Sequence, residues 1–468
     1  MSHISNEIKK HHSTVFRRCY IKRRDIVTGQ FESDWFEVTD DVKKWGSYTT
    51  KVDAEKPNKF SFGNATLVFA NDEGKYNPED DELSLWYGNY ISQQRTLVKI
   101  ESGFLVQREI NPGHWLSVEA PAAALWDSSP WDEPSEWDST FTPITYTGII
   151  SGDVNLSAKN EVAFTIRPVN QVFIDYPAKA LTGWTSTGLT ASQFITMLRD
   201  QTDGSSNYVF RPFFQNTSTG FDISTTSSVF GQLNTSTAVG VIDKNVWQII
   251  EKLAEAESFV PYTNSLGQFR FISRTANTSA AAFEFYGSGS HSAEYGNTFK
   301  DITKFGKKIS KYYSRVQVKW VDADTASSYE VVESSLVVSG SNNPWGYGAR
   351  SLEVENFFIP TSTVANTVAT TLFTEHSSLK NEIEFKTSFI PHLDILDRVK
   401  MYYDSPPNSS GVLWDQNNWS EDATETTSDL TWDVSTGDAI RLTGQEYKFL
   451  SISINLDKFE CSFVAREI

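Results

Sequence analysis

An acidic, tryptophan-rich stretch occurs twice in this chain of 468 residues. The first copy, 125–140, reads LWDSSPWDEPSEWDST, and the second, 413–436, reads LWDQNNWSEDATETTSDLTWDVST. The two Leu-Trp-Asp triplets start 288 residues apart, and in each copy the next tryptophan follows five residues after the first. A repeat of this kind indicates that one structural unit is present twice.

The segments around the two stretches also match. Before and after them, three pairs of segments correspond: 98–100 (VKI) with 399–401 (VKM), 144–148 (ITYTG) with 440–444 (IRLTG), and 162–167 (VAFTIR) with 461–466 (CSFVAR). Alternation of apolar and polar residues in the last pair predicts strands. The order strand, acidic loop, strand, turn, strand therefore occurs twice, which predicts two related antiparallel β-domains.

The segment between the repeats has a different character. Val246, Ile249, Ile250 and Leu253 fall at the spacing of one helix face, and a hairpin pattern follows over 259–272. We therefore predict a mainly β fold with an α+β insert, in which two similar antiparallel β-barrel domains flank a middle α+β module. A chain of this length also exceeds what one hydrophobic core supports.

The predicted domain boundaries follow from these patterns. They are a flexible tail at 1–12, a first β-barrel domain at 13–174 with the acidic Trp loop 125–142, a middle module at 175–304, and a second β-barrel domain at 305–468 with a helix at 361–379 and the acidic Trp loop 404–439.

Net charge, apolar runs and cysteine count argue against several classes of protein. The net charge of −18 argues against a nucleic-acid binder, which needs clustered Lys and Arg to displace counterions from phosphates. No apolar run reaches 18 residues, so no membrane span is expected, and the polar start does not resemble a secretory signal. Two cysteines, Cys19 and Cys461, do not make a disulfide scaffold, and folding in a reducing cytosol is expected.

No catalytic pattern is present in the sequence. The seven histidines form no HExxH or other spaced metal pair, and there is neither a glycine-rich phosphate loop nor a GxSxG motif. We therefore expect no enzymatic activity, no cofactor and no metal site.

The tryptophans of the repeated stretches have two interpretations. They bury a large area and anchor a subunit interface or pack back on their own barrel, or they bind a sugar or a divalent cation together with the acidic residues. Duplication favours the structural interpretation, because an active site rarely needs to exist twice at corresponding points. The candidate interface or loop-anchor residues are Trp126, Trp131, Trp137, Trp414, Trp419 and Trp432.

Three segments resemble the baseplate hub, or tail-tip, proteins of tailed bacteriophages and related injection machines. They are 62–76 (FGNATLVFANDEGKY), the helix and hairpin of 246–272, and the strands of 447–467. The resemblance covers most of the chain through domain order and strand character. It implies that the two β-barrels are tube domains, so that three chains present six of them to a sixfold tail tube.

The resemblance implies a structural virion protein at the distal end of the tail, assembled in the host cytoplasm. A homotrimeric hub would join the sixfold tube to the threefold tip and form part of the DNA ejection channel. Its implied partners are the tail tube and distal tail proteins, a tip spike or fibre protein and a tape-measure protein. DNA would pass without specific binding, along a lumen that we expect to carry carboxylates and small polar side chains.

Three alternatives stay open. A hexameric distal tail adaptor would need one tube domain per chain, which the duplication disfavours. A glycan-binding or cell-wall-degrading receptor module of the tail tip would use Trp126, Trp131, Trp414 and Trp419 as stacking platforms, and sugar binding would identify it. A structural subunit of a bacterial contractile injection system cannot be separated from a phage hub by sequence.

Overall fold

The computed structural model describes residues 14–25, 27–53, 59–72, 74–77, 84–86, 95–105, 107–111, 114–117, 144–151, 155–157, 160–214, 220–274, 281–287, 298–321, 328–334, 350–404 and 441–468. This part of the chain is mostly β, with curled, largely antiparallel sheets and an α+β portion. The predicted fold class is therefore confirmed. The predicted tail at 1–12 lies outside the described residues.

The first sheet has eight strands in the order β2-β1-β7-β10-β12-β6-β3, with β11 beside β12. Along β12, Val162, Phe164 and Ile166 are buried and their neighbours are partly exposed, as expected for a strand with one face on a core. The strands described in this part of the chain are β1 (Thr14–Lys22), β2 (Phe36–Glu37), β3 (Val42–Lys44), β4 (Ser47–Val52), β5 (Phe60–Phe62), β6 (Ala65–Ala70), β7 (Leu97–Leu105), β8 (Gln107–Asn111), β9 (His114–Ser117), β10 (Ile144–Ile150), β11 (Asn155–Ser157) and β12 (Glu161–Pro168).

The middle of the chain combines helices with short strands. Thr190 and Asn245 each begin a helix with a reciprocal capping box, in which the cap side chain and the Gln three residues later satisfy backbone N–H groups. The elements here are α1 (Gln171–Ile174), β13 (Leu189–Thr190), α2 (Ala191–Asp200), β14 (Phe221–Ile223), β15 (Val229–Phe230), α3 (Val246–Glu257), β16 (Phe259–Thr263) and β17 (Phe269–Ser273). The predicted amphipathic helix is α3, and the predicted hairpin is β16–β17.

The second sheet has the order β18-β24-β25-β26-β23-β19. The remaining elements are β18 (Phe283–Tyr286), β19 (Phe299–Lys307), β20 (Arg315–Val321), β21 (Ser328–Ser334), β22 (Ser351–Asn356), α4 (Ser362–His376), β23 (Asn381–Ser388), β24 (Arg398–Asp404), β25 (Arg441–Asn455) and β26 (Glu460–Glu467). Helix α4 lies within the range predicted at 361–379, and the Thr361 side chain accepts a hydrogen bond from the Val364 N–H.

Helix α4 and the three-stranded sheet β21-β20-β22 belong to the same core as the middle segment. Val316, Leu352 and Val368 are buried in one hydrophobic cluster with Ile250 and Leu253 of α3. We call α1–α4 with β13–β17 and β20–β22 the α+β layer. The boundary predicted at 304/305 separates residues that share this core, and the division into domains stays a prediction.

The hairpin β4–β5 lies between strands of the first sheet in sequence but pairs elsewhere. Strand β4 is antiparallel to the second half of β25, with Lys51 opposite Ser451 and Ser47 opposite Asn455. Residues of both sheets form one hydrophobic core, in which the Tyr48 and Tyr146 ring centroids are 4.7 Å apart. The two sheets are therefore joined by strand pairing as well as by packing.

Candidate functional site: the two matched sheets

The two sheets have the same register at their centre. In each sheet, three adjacent strands align in two successive rows, and each row contains one residue from each strand. In the first sheet, across β7, β10 and β12, the rows are Leu97–Ile149–Arg167 and Val98–Gly148–Pro168. In the second sheet, across β24, β25 and β26, they are Arg398–Lys448–Arg466 and Val399–Tyr447–Glu467. Register decides which side chains share a face of a sheet. Corresponding residues of the two units therefore lie at the same relative positions in their sheets.

The match extends to a fourth and a fifth strand. The first unit contains, in sequence order, β6, β7, β10 and β12, and the second contains β23, β24, β25 and β26. In each unit the last of these strands pairs with the first. Phe164 faces Leu67 in one unit, and Phe463 faces Phe385 in the other. Strands β3 and β19 lie outside β6 and β23. At the opposite edge, β1 is antiparallel to β7 but β18 is parallel to β24, so the units differ there.

Two of the three predicted segment matches are confirmed, and the match of 144–148 with 440–444 is wrong by three residues. Gly148 occupies the row position of Tyr447. Gly444, at φ +91°, lies where the β24–β25 register shifts. Gly148 instead allows the neighbouring strand to pack closely, because a Cβ at this position would lie 2.5 Å from the Arg167 carbonyl oxygen. One glycine permits a bulge and the other permits close packing, so the shared Thr-Gly pair is not equivalent.

One face of each sheet carries an aromatic cluster. The Phe164 ring lies 5.3 Å from that of Phe69 and 5.6 Å from that of Trp86, as centroid distances. The Phe463 ring lies 4.8 Å from that of Phe449 and 5.3 Å from that of Phe385. These equivalent phenylalanines fix the inner packing of both units.

Partly exposed positions of the sheets carry charges of both signs. Lys99 and Glu101 on β7 form an ion pair of 2.7 Å, and the Lys99 Nζ lies 4.4 Å from the Tyr20 ring centroid. On the second sheet, Lys304 of the edge strand β19 pairs with Glu384 at 2.8 Å. Lys side chains on an edge strand also discourage uncontrolled strand pairing.

The six candidate tryptophans lie outside the described residues. Trp126, Trp131 and Trp137 fall in 118–143, and Trp414, Trp419 and Trp432 fall in 405–440. In the chain, each segment is placed between the matched strands β7 and β10, or β24 and β25. Their role as interface or loop anchors stays a prediction.

Arg17 links the first sheet to the turn between β25 and β26 of the second sheet. Its guanidinium lies 4.8 Å from the Trp45 ring centroid and 5.0 Å from that of Phe459, and it donates a hydrogen bond to the Leu456 carbonyl. Asp457 accepts from the backbone N–H groups of Trp45 and Gly46, each at 3.0 Å. This junction holds the start of β4 against the β25–β26 turn.

Replacement of this arginine tests the junction. Arg17→Ala is expected to lower the free energy of unfolding by about 1–3 kcal/mol, because two cation–π contacts and a charge-assisted hydrogen bond are lost. Arg18→Ala is the matched control, since its contact with the Phe16 ring is longer at 5.7 Å. Urea unfolding of both variants measures the difference; an equal effect in the two would contradict a special role for Arg17.

The described residues offer little for nucleophilic or metal chemistry. Cys19 and Cys461 are buried free thiols, and burial raises the pKa of Cys461 to about 12, which leaves no thiolate at neutral pH. Burial lowers the pKa of His376 to about 3 and that of His392 to about 4. Within the described residues, no group of three or more His, Cys, Asp or Glu side chains is placed to hold a metal ion. None of the described helices is both long and apolar enough to cross a membrane.

A pair of half-buried aspartates was not predicted from the sequence. Asp394 and Asp397 lie in the turn before β24, where an Asp397 carboxylate oxygen accepts from the Asp394 N–H and an Asp394 oxygen accepts from the Ile395 N–H, each at 2.8 Å. Burial, reinforced by the charge of Asp397, raises the pKa of Asp394 to about 7. Two aspartates three residues apart in a loop give no sequence signal that separates a half-buried pair from a fully solvated turn.

Comparison with known proteins gives structural matches only. The chain is similar to a tail protein from Neisseria meningitidis MC58, with 10% identity, a TM-score of 0.47 and 96% of each chain covered. It is similar to the prophage tail protein gp18 from Listeria monocytogenes EGD-e, with 8% identity, a TM-score of 0.44 and coverage of 96% of this chain and 94% of that one. A 43 kDa tail protein of prophage MuSo2 from Shewanella oneidensis matches with 9% identity, a TM-score of 0.45 and coverage of 96% and 98%.

No family model matches the sequence, and no curated protein matches it. All three of these solved structures are described as tail proteins.

Proposed function

We propose that this chain is a structural subunit of a phage-type tail, acting as a homotrimeric hub at its distal end. In this role it joins a sixfold tail tube to a threefold tip and forms part of the channel for DNA. The observation that carries the proposal is the presence of two sheets with the same central register in one chain.

A sixfold ring needs six equivalent tube-forming units, and three chains with two units each supply them. The differences between the units lie at the edges, where β1 and β18 run in opposite senses relative to their neighbours. Such differences suit a ring in which the two units of each chain have different neighbours below the tube.

The charge of the chain suits a channel that does not retain DNA. Segments 118–143 and 405–440 hold six and seven acidic residues respectively and neither Lys nor Arg, within a net charge of −18. An acidic wall repels the phosphate backbone and so reduces trapping of the passing duplex. In this role the partners are the tail tube and distal tail proteins, a tip spike or fibre protein and a tape-measure protein, and the protein acts without catalysis.

Oligomeric state and symmetry test the proposal. Mass photometry of the purified protein is expected to give about 158 kDa, three copies of a 52.7 kDa chain, and class averages of the particle are expected to show six lobes at one end. A hexamer of about 316 kDa would favour the distal adaptor instead. A particle that stays monomeric over the accessible concentration range, with or without tail tube protein, would overturn the hub.

A further inference from the structure

Two long stretches of this chain carry no charged residue. They are 223–242, which includes β15, and 356–374, which includes most of α4. Neither stretch contains Asp, Glu, Lys, Arg or His. Charged residues make up 21% of the chain, so 39 residues of average composition would include about eight of them. Both stretches belong to the α+β layer.

The two stretches meet in the folded chain. The Phe358 ring packs against Gly240, where an added Cβ would lie 2.9 Å from the Phe358 Cζ. The side-chain oxygen of Gln232 accepts a hydrogen bond from the Gly240 N–H at 3.1 Å. Phe358 itself is buried in the core of the α+β layer. We call the joint surface of 223–242 and 356–374 the charge-free face.

Large apolar side chains are exposed on the charge-free face. Val239 is 79% exposed, Phe357 is 46% exposed and Ile242 is 43% exposed. All three lie within two residues of the contact between Gly240 and Phe358. A single exposed apolar side chain needs no explanation, but a group of them on a surface without charges is typical of a binding surface.

The outer side of α4 is also unlike a helix face that is made for water. Such a face normally carries charged residues, whereas the exposed positions of α4 include Thr363, Asn366, Thr367 and Thr370. The Thr367 hydroxyl donates to the Thr363 carbonyl oxygen at 3.0 Å, and the Thr374 hydroxyl donates to the Thr370 carbonyl oxygen at 2.9 Å. Because these hydroxyl groups already bond to the backbone of the helix, a partner can cover them at low cost.

The net charge of the chain indicates what covers this face. Each copy carries a net charge of −18, so two copies repel each other over most of their surfaces. A contact between copies is therefore least costly where a surface has no charge of its own. The centres of protein interfaces are likewise depleted in charged residues. A nucleic acid or a strongly basic protein would instead select a charged surface.

We propose that the charge-free face is a contact with a second copy of this chain. The inference rests on the proposed function, because it assigns to this face one of the contacts that hold the homotrimer together. In a ring of three copies each contact joins two different surfaces, so this face meets another part of the neighbouring copy. The two matched sheets stay available for the tail tube.

Sedimentation velocity over a dilution series tests the charge-free face. Val239→Asp is expected to raise the concentration at which half of the chains are assembled by at least tenfold, because assembly would bury an unpaired charge. Thr367→Glu is expected to have the same effect. Glu favours a helix more than Thr does, so this second variant keeps α4 intact. Circular dichroism of both variants checks that they fold like the parent.

Val27→Asp is the matched control, because Val27 is 78% exposed in the turn after β1, outside the charge-free face. This variant is expected to assemble like the parent. If the parent is a trimer and both face variants assemble as well as the control, the inference is overturned and the hub stands. A parental dimer that the face variants break would support the face and contradict the hub. A parent that never assembles would overturn both.

Discussion

Phe463→Ala and its counterpart Phe164→Ala are each expected to lower the free energy of unfolding by about 3–5 kcal/mol. Both side chains are fully or almost fully buried, and each is ringed by aromatic neighbours. Truncation leaves a cavity between strands whose backbones are held in register, so the site collapses only in part. Because the positions are equivalent, the two losses are expected to be similar.

Urea unfolding followed by tryptophan fluorescence and by circular dichroism measures both losses. Phe305→Ala is the control on the edge strand β19, where the ring is 37% exposed, and it is expected to cost less than about 1 kcal/mol. Phe463→Leu and Phe164→Leu retain most of the buried area and are expected to fall between these limits. A loss below about 1 kcal/mol in either alanine variant would show that its sheet is not packed as described.

Asp394→Asn is expected to stabilise the protein at alkaline pH by about 2–4 kcal/mol. In the folded chain, the pKa of Asp394 is raised by burial from its ordinary 3.8 to about 7. Each pKa unit corresponds to about 1.4 kcal/mol. An asparagine carbonyl oxygen can still accept the Ile395 N–H, so the variant removes the charge and keeps the hydrogen bond.

The sign of the pH dependence follows from the raised pKa. The stability contributed by protonated Asp394 is fully present below about pH 4 and is lost as the pH rises to about 7. The benefit of Asp394→Asn is therefore expected to be near zero at pH 4 and largest above pH 7. His376 and His392, whose pKa values are lowered, act in the opposite sense below pH 6.5, and they cancel when variant and parent are compared at each pH.

Chemical unfolding at pH 4.5, 6 and 8 checks this trend. Asp301→Asn, at an exposed position of β19, makes the same chemical change and is expected to leave stability within about 0.5 kcal/mol of the parent at every pH. A constant difference between Asp394→Asn and the parent across the range would mean that the pKa of Asp394 is not raised in the folded chain.

Local patterns in the sequence predicted the elements well. Alternation identified the strands that became β12 and β26, and the spacing of Val246, Ile249, Ile250 and Leu253 identified α3. What the sequence could not reveal was which elements pack together. The apolar face of α4 fits either core equally well on composition, and only tertiary packing places it on α3.

The sequence predicted the candidate site only in part, for the same reason. Repetition of strand segments predicted two related units, and their common register bears out that relation. The tryptophans of the repeated stretches lie outside the described residues. The sequence could not predict that Arg398, Lys448 and Arg466 lie side by side. These residues are far apart in the chain and become neighbours only through strand register.

The long strand β25 joins the part of the chain that is synthesised last to a part that is synthesised early. Residues 47–51, made near the beginning, pair with 451–455, made near the end. While the ribosome is still at work, the β4–β5 hairpin has no second-sheet partner and offers an open edge of the kind that aggregates. A polypeptide that ends before residue 451 lacks the segment that pairs with β4, and it therefore cannot complete the core that the two sheets share.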